Sequence, residues 1–252
     1  MNNQDIESME NRYLKKFYHF LKFAEDKIMI GFRTKEKIKD DWYGLYSSDI
    51  LDFDAGIKRV IYSLLNGNGI VQPNSSPIGA DLFFEVEDAF IHIDLKTVEA
   101  DGNLGDYIKN IFVGTNQNSY KSEIKKADGE SFEPMRFYDP SLPTFYNKSK
   151  DSQKICLTYF ITVLYSKENL DILNINILSM PNGELETHYK HRPLRAGKNL
   201  DKTRFNFNEV SKFELLENQP SRVKVVYFNK DMREDFRTKL SFFENLYLKL
   251  ED

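Results

Sequence analysis

Two aspartates and a lysine within one short stretch have the residue types and spacing of a metal site. The stretch GADLFFEVEDAFIHIDLKT, residues 79–97, contains Asp81, and then Asp94 and Lys96 separated by one leucine. Carboxylate oxygens suit Mg²⁺, which keeps several of its waters and usually takes only one or two carboxylates from a protein. An ammonium group beside such an ion can hold an attacking water or stabilise developing negative charge. The trio therefore predicts a magnesium site, provided that the fold brings the three side chains together.

A β-hairpin would bring them together. Residues 81–86 and 90–97 read as two strands joined by a turn centred on Glu87 and Asp88, and this register sets Asp81 opposite Asp94. Directly opposed residues share a face of the pair. One face is then wholly apolar and carries Ala80, Leu82, Phe84, Ile91, Ile93 and Leu95. The other face carries Asp81, Phe83, Glu85, Phe90, His92, Asp94 and Lys96. A slip of one residue would scramble both faces, so the apolar match favours this register.

The proposed register places two like charges side by side. Opposed residues lie about 4.5–5.5 Å apart at Cβ, and like charges at that separation are destabilising. A divalent cation between Asp81 and Asp94 would reverse the sign of the interaction. The alternative is a solvated polar face on which Asp81 and Lys96 are ordinary surface charges. That alternative leaves the opposition of the two aspartates unexplained.

At these residues the sequence resembles the PD-(D/E)xK nuclease superfamily. Its signature is an acid at a strand start followed by an acid-x-Lys triplet on the neighbouring strand, here Asp81 in IGAD and DLK at 94–96, with alanine in place of the name-giving proline. The resemblance implies an α/β fold, a restriction-endonuclease-like core in which α-helices flank a mixed β-sheet. It also implies that Asp81 and Asp94 hold Mg²⁺, that the backbone carbonyl of Leu95 is a further ligand, and that Lys96 assists the water nucleophile.

The superfamily often has one more acid on the helix before the hairpin. Asp54 in DFDAGIKRV is the best candidate for this metal-site residue, and Asp52 is second. A helix cap is the rival interpretation of Asp54, and the sequence leaves the two open.

Two further stretches, VGTNQNSY at 113–120 and YKHRPLRAGKNLDKTRFNF at 189–207, resemble type II restriction endonucleases. That resemblance implies a homodimer that cuts both strands of double-stranded DNA at a short palindrome with Mg²⁺. A repair or structure-specific nuclease with the same core is one alternative. A non-catalytic DNA-binding protein is another, and the trio of Asp81, Asp94 and Lys96 discriminates against it.

The same two stretches supply the candidates for DNA contact. Residues 188–204 contain a single acid, Asp201, in a chain whose net charge is −4, so their basic side chains form a local excess suited to phosphates and guanine edges. These side chains are Lys190, Arg192, Arg195, Lys198, Lys202 and Arg204. Amide side chains pair with adenine, and the first stretch offers Asn116, Gln117, Asn118 and Ser119. A solvated basic loop and a polar turn are the respective alternatives.

The remaining elements are predicted from periodicity and turn signals. Apolar residues at helical spacing predict helices over 4–28, 52–66 and 231–250, and β-branched runs predict strands over 154–165, 170–180 and 222–228. Residues 102–120 read as a loop or short helix, and residues 121–152, with three prolines, as an irregular excursion. The simplest account is one domain over 1–252, with DNA-recognition elements in loops around 102–150 and 185–210.

Composition narrows the class of protein. Hydrophobic residues make up 40% of the 252 residues and charged residues 29%, as in an ordinary globular protein. The polar N-terminus lacks an export signal, and the apolar run at 155–165 is too short to span a bilayer. Cys156 is the only cysteine, so no intrachain disulfide forms. We therefore expect a cytoplasmic protein without membrane contact, and the resemblance to restriction endonucleases implies a bacterial or archaeal one.

Overall fold

A computed structural model describes residues 1–31, 60–61, 64–65, 81–113, 122–138, 143–149, 152–183, 194–196, 203–206 and 222–249. Its helices are α1 (Asn3–Phe23), α2 (Ala100–Lys109), α3 (Glu234–Lys239) and α4 (Ser241–Leu248), and residues 25–31, 60–61 and 64–65 are also helical. Its first six strands are β1 (Leu82–Glu85), β2 (Ala89–Glu99), β3 (Asn110–Val113), β4 (Ser122–Lys125), β5 (Ser131–Tyr138) and β6 (Phe145–Ser149). The others are β7 (Ser152–Tyr165), β8 (Ile172–Met180), β9 (Leu194–Ala196), β10 (Thr203–Asn206) and β11 (Val223–Phe228).

The central sheet has the strand order β1-β2-β7-β8-β11, and β6 also pairs with β7. β2 and β7 run parallel from the pair Ala89–Ile155 to the pair Glu99–Tyr165, and the other pairings of this sheet are antiparallel. The predicted pairing of 154–165 with 170–180 and the predicted strand at 222–228 are confirmed. The sheet is mixed, as the resemblance implied.

Helices cover both faces of the central sheet. On one face α1 inserts Leu14, Phe17 and Leu21 into a core that also contains Ile61 and Leu65. On the other face α2, α3 and α4 form a second buried cluster. A capping box between Asn2 and Asp5 begins α1. Two buried layers on either side of one sheet therefore make β2, β7 and β8 the interior of the molecule.

A second sheet has the order β3-β10-β9-β4-β5. The prediction of an irregular excursion over 121–152 is wrong, because this range contains β4, β5 and β6. Pro134, which suggested irregularity, lies on the edge strand β5, in the interruption between the pairs Arg136–Ile124 and Ser131–Lys125. A proline at that position removes no ladder hydrogen bond, so it does not exclude a strand.

The single closing helix predicted over 231–250 is also wrong in detail. The chain forms α3 and α4, which meet at Leu240. Leu240 is fully buried, and its N–H donates to the carbonyls of Phe236 and Arg237. The turn at Leu240 therefore allows both short helices to bury apolar residues against the same side of the sheet. None of the helices in the described part of the chain is long and apolar enough to cross a membrane.

Candidate active site

The hairpin has the register that the sequence predicted. Leu82 pairs with Ile93, Phe83 with His92, Phe84 with Ile91, and Glu85 with Phe90. The apolar face packs into the core beneath α1, where Leu82, Ile91, Ile93 and Leu95 are at most 2% exposed. Aliphatic residues recur at every second position of β2, and the packing of this face beneath α1 favours the observed register, although residues of the other face of β2 are also buried. Continued by one residue, the register sets Asp81 opposite Asp94.

On the opposite face of the hairpin the β2 residues up to Asp94 are buried, whereas Asp81, Phe83, Glu85 and Lys96 are partly exposed, so the β2 part of this face is not the solvated polar surface of the alternative. Phe90, His92 and Asp94 are 4%, 1% and 5% exposed. The ring of Phe83 stacks on Phe90 at 5.4 Å between centroids and meets His92 edge-on at 4.7 Å. The carboxylate of Asp94 therefore lies beside a row of aromatic side chains and not in bulk water.

Asp81 reaches the level of the DLK triplet through a backbone contact. Asp81 lies one residue before β1, and its Oδ2 accepts a hydrogen bond from the N–H of Leu95 at 2.7 Å. The Leu95 side chain points into the apolar core, so only its backbone lies on the side of the carboxylates. The contact fixes Asp81 against β2 at the position that the resemblance assigns to a metal ligand.

Asp94 and Lys96 form an ion pair between Asp94 Oδ2 and Lys96 Nζ. The Lys96 side chain is 25% exposed and that of Asp94 is 7% exposed, so the ammonium reaches from solvent into a largely buried site. Lys96 Nζ also lies 5.6 Å from the centroid of the Phe160 ring. Phe160 is the residue opposite Asp94 in the parallel pairing of β2 with β7.

His92 shares the catalytic face but does not have the contacts of a metal ligand. Burial lowers the pKa of His92 from 6.5 to about 4, and neither ring nitrogen has a hydrogen-bond partner among the described residues. The imidazole is therefore neutral near pH 7. Its edge-on contact with Phe83 agrees with the packing role considered for it from the sequence.

The donor set suits a hard divalent cation. Asp81, one residue before β1, and Asp94 on β2 supply carboxylate oxygens. The backbone carbonyl of Leu95 lies between Asp94 and Lys96 in the DLK triplet. Within the described residues no group of three or more His, Cys, Asp or Glu side chains could hold a metal. Two carboxylates are what Mg²⁺ usually takes from a protein, so the residues fit the ion. Asp54 lies outside the described residues.

Two predicted DNA-contacting residues lie on strands of the second sheet rather than in loops. Arg195 on β9 pairs with Arg204 on β10, and on its other side with Lys125 on β4. Arg195 Nη1 donates to the carbonyl of Ala127 at 3.2 Å. The other predicted DNA-contacting residues lie outside the described residues: Asn116, Gln117, Asn118, Ser119, Lys190, Arg192, Lys198 and Lys202.

Sequence reasoning did not identify Phe160 or Lys125. The run ICLTYFITVLY indicated that Phe160 lies on a buried strand, but no local signal indicates which strand pairs with β2. Lys125 belongs to the range read as irregular, so its place beside Arg195 had no sequence signal. Both are consequences of long-range pairing.

Known restriction enzymes resemble the chain in sequence and in fold. Residues 2–169 match the family of the N-terminal domain of the type II restriction enzyme MwoI, and residues 172–228 match the family of its central domain. A comparison with curated proteins gives no match.

Two solved structures share the fold. The restriction endonuclease BglI bound to its DNA recognition sequence superposes with a TM-score of 0.68 at 14% identity, over 91% of this chain and 93% of that one. The tetrameric restriction endonuclease SfiI bound to cognate DNA superposes with a TM-score of 0.61 at 13% identity, over 92% of this chain and 88% of that one. The predicted restriction-endonuclease-like α/β fold is confirmed. Together with the sequence matches, which cover most of the chain, this shows that the protein belongs to the MwoI family of type II restriction enzymes and is a restriction endonuclease, a hydrolase acting on DNA.

Proposed function

We propose that the chain hydrolyses phosphodiester bonds of double-stranded DNA at a short palindromic sequence with Mg²⁺, and that Asp81, Asp94 and Lys96 carry the reaction. One observation carries the proposal: the two carboxylates and the ammonium converge on the end of the hairpin, in a restriction-endonuclease fold. Mg²⁺ is the ion of choice because the donors that the described residues offer at the site are oxygens and are few.

Each residue has a separate task. Asp81 and Asp94 would hold the ion, and the Leu95 N–H orients Asp81 by donating a hydrogen bond to its Oδ2. The ion, when bound, supplies Lewis-acid polarisation of the scissile phosphate. Lys96, whose ammonium lies at Asp94, holds the attacking water in line with the leaving 3′ oxygen and stabilises the negative charge that develops on the phosphoryl oxygens. Asp54 remains a candidate for a further carboxylate.

DNA contact is assigned to the basic part of the second sheet and its neighbouring segments. Arg195 and Arg204 lie on adjacent strands, and Lys125 beside Arg195 forms an ion pair with Glu123 at 2.7 Å, so the two arginines supply the positive charge assigned to DNA contact here. Lys190, Arg192, Lys198 and Lys202 belong to the same basic stretch, and Asn116, Gln117, Asn118 and Ser119 offer amide and hydroxyl groups to base edges. The whole chain, 1–252, acts as one domain in this proposal, because β7 and β8 pair across the junction of the two matched families.

A palindromic target requires a symmetric enzyme, so the working form is a homodimer or a larger even assembly. SfiI, whose fold is similar, is tetrameric. Restriction of foreign DNA takes place inside a bacterial or archaeal cell, and we assign the protein to that cytoplasm.

Digestion of several unmethylated genomic DNAs with purified protein and Mg²⁺ tests the proposal. We expect discrete fragments whose sequenced ends share one short palindrome, and no fragments with EDTA. Asp94→Ala should abolish cutting, whereas Asp231→Ala, at an exposed aspartate remote from the trio in sequence, should not. A smear of random ends, or cutting restricted to branched DNA, would favour the repair-type nuclease instead.

A further inference from the structure

Lys96 has an aromatic partner in addition to its carboxylate partner. Its Nζ forms an ion pair with Asp94 and lies 5.6 Å from the ring centroid of Phe160. A cation within about 6 Å of a ring centroid is attracted by the negative face of the ring. Phe160 is fully buried on β7, and the parallel register places it directly beside Asp94. The ammonium thus has a carboxylate and a ring as neighbours, both fixed in the central sheet.

The carboxylate of Asp94, which pairs with Lys96, also has to bind the divalent ion. In the proposed function Asp94 shares its charge with the divalent ion, so its attraction for Lys96 falls when the ion binds. Mg²⁺ takes oxygen ligands and does not compete for an aromatic face. The ring is therefore a partner that Lys96 keeps in the working enzyme.

We propose that Phe160 is a positioning residue: its ring holds the Lys96 ammonium at the active site when Asp94 binds the ion. The catalytic consequence of this inference rests on the proposed function. The contact between Phe160 and Lys96 rests on the geometry alone. Any large apolar side chain could fill the core at this position, but only an aromatic ring offers a face that attracts a cation.

The contact itself can be measured without activity. Protons above a ring face are shifted upfield by the ring current, so the ε-methylene of Lys96 should resonate upfield of ordinary lysines in protein with ¹³C-labelled lysine and no added metal. The signal is assigned by its loss in Lys96→Arg. It should return to the ordinary position in Phe160→Leu and stay upfield in Phe228→Leu, a matched change at a buried phenylalanine of the same core cluster. An ordinary Lys96 shift in the wild type would overturn the inference.

The catalytic consequence is tested with fluorinated phenylalanines at position 160. Mono-, di- and trifluorination leave the ring size nearly unchanged but weaken its negative face in steps. We expect the single-turnover rate constant for cleavage at the recognition site to fall in the same steps. For Phe160→Leu it should fall by roughly 2- to 30-fold, and the concentration that gives the half-maximal rate should not change. A purely structural role for Phe160 predicts no dependence on fluorination, and that result would overturn the catalytic part.

Failure of the proposed function is distinguishable from failure of this inference. If the wild-type protein cuts no DNA, the proposed function fails and the catalytic part falls with it. The lysine resonance still decides the contact in that case. If wild type cuts DNA and the Lys96 shift is ordinary, the function stands and this inference is wrong.

Discussion

The carboxylate of Asp81 accepts a hydrogen bond from the backbone N–H of Leu95 at 2.7 Å. This contact links the residue before β1 to the middle of the DLK triplet on β2. The acid thus has two roles, a structural one through the oxygen bonded to Leu95 and an electrostatic one through its charge.

The two roles of Asp81 can be separated by substitution. Asp81→Asn keeps a carbonyl oxygen for the Leu95 N–H but removes the charge, whereas Asp81→Ala removes both. We expect both variants to lose cleavage by about 100-fold or more. Asp81→Ala alone should also lose roughly 1 kcal/mol of unfolding free energy, because the hydrogen bond is gone. Equal stability of the two variants in urea titrations would contradict this assignment of roles.

Removal of Lys96 should make stability depend more strongly on Mg²⁺ than it does in the wild type. Lys96→Met removes the ammonium that forms an ion pair with the carboxylate of Asp94, whose side chain is 7% exposed. We expect a loss of about 1–3 kcal/mol without metal and a partial recovery in millimolar Mg²⁺, because the ion replaces the missing charge. Urea unfolding with and without Mg²⁺ measures both values. Lys167→Met breaks an exposed pair with Glu99 and should change neither.

His92 should make the folded state sensitive to acid. Its pKa is about 4 in the folded protein, because the ring is buried, against 6.5 when exposed. Between these values the unfolded chain binds a proton that the folded chain does not, so stability falls as pH falls from about 6.5 to 4. The full loss for such a shift is about 3 kcal/mol.

His92→Phe keeps an aromatic ring against Phe83 and removes the titration. The free energy of unfolding of this variant should vary less than that of the wild type over the same pH range. Urea unfolding at several pH values checks this, and parallel curves for the two proteins would show that His92 does not titrate as described.

Arg195 and Arg204 should contribute to DNA affinity without affecting the metal site. Each Arg→Ala change should weaken binding to specific and non-specific DNA alike if it removes a phosphate contact, and reduce the slope of log K against log salt by about 1. Fluorescence anisotropy in the presence of Ca²⁺, under which we expect binding without cleavage, gives the slope of log K against log salt. Lys239→Ala removes an exposed lysine at the end of α3 and should leave the salt slope unchanged. A loss confined to one DNA sequence would indicate base recognition instead.

The register of the hairpin could be predicted from the sequence, whereas the strand that pairs with the hairpin could not. The register of β1 and β2 follows from a short turn and from apolar residues at every second position, both of which are local in sequence. Pairing of β2 with β7 joins segments far apart in the chain, and only the assembled core selects it. Phe160 could therefore not be assigned to the site in advance.

The difference between local and long-range signals also explains the wrong predictions for residues 121–152 and 231–250. Pro134 argued correctly against an interior strand but carried no information about an edge strand. The apolar stripe of 231–250 was correctly read, yet it could not show that burial of Leu240 divides the helix. Arg195 and Arg204 were selected for charge alone, and their opposition across β9 and β10 appeared only with the second sheet.

The parallel pairing of β2 with β7 also has a consequence for biosynthesis. A ribosome releases Asp81, Asp94 and Lys96 long before it releases β7. Until β7 arrives, the catalytic strand lacks its inner neighbour and the ring beside Lys96. A nascent chain that ends before Ser152 therefore carries every residue of the proposed catalytic trio but lacks the parallel partner of β2, so we expect a truncated translation product not to cleave DNA.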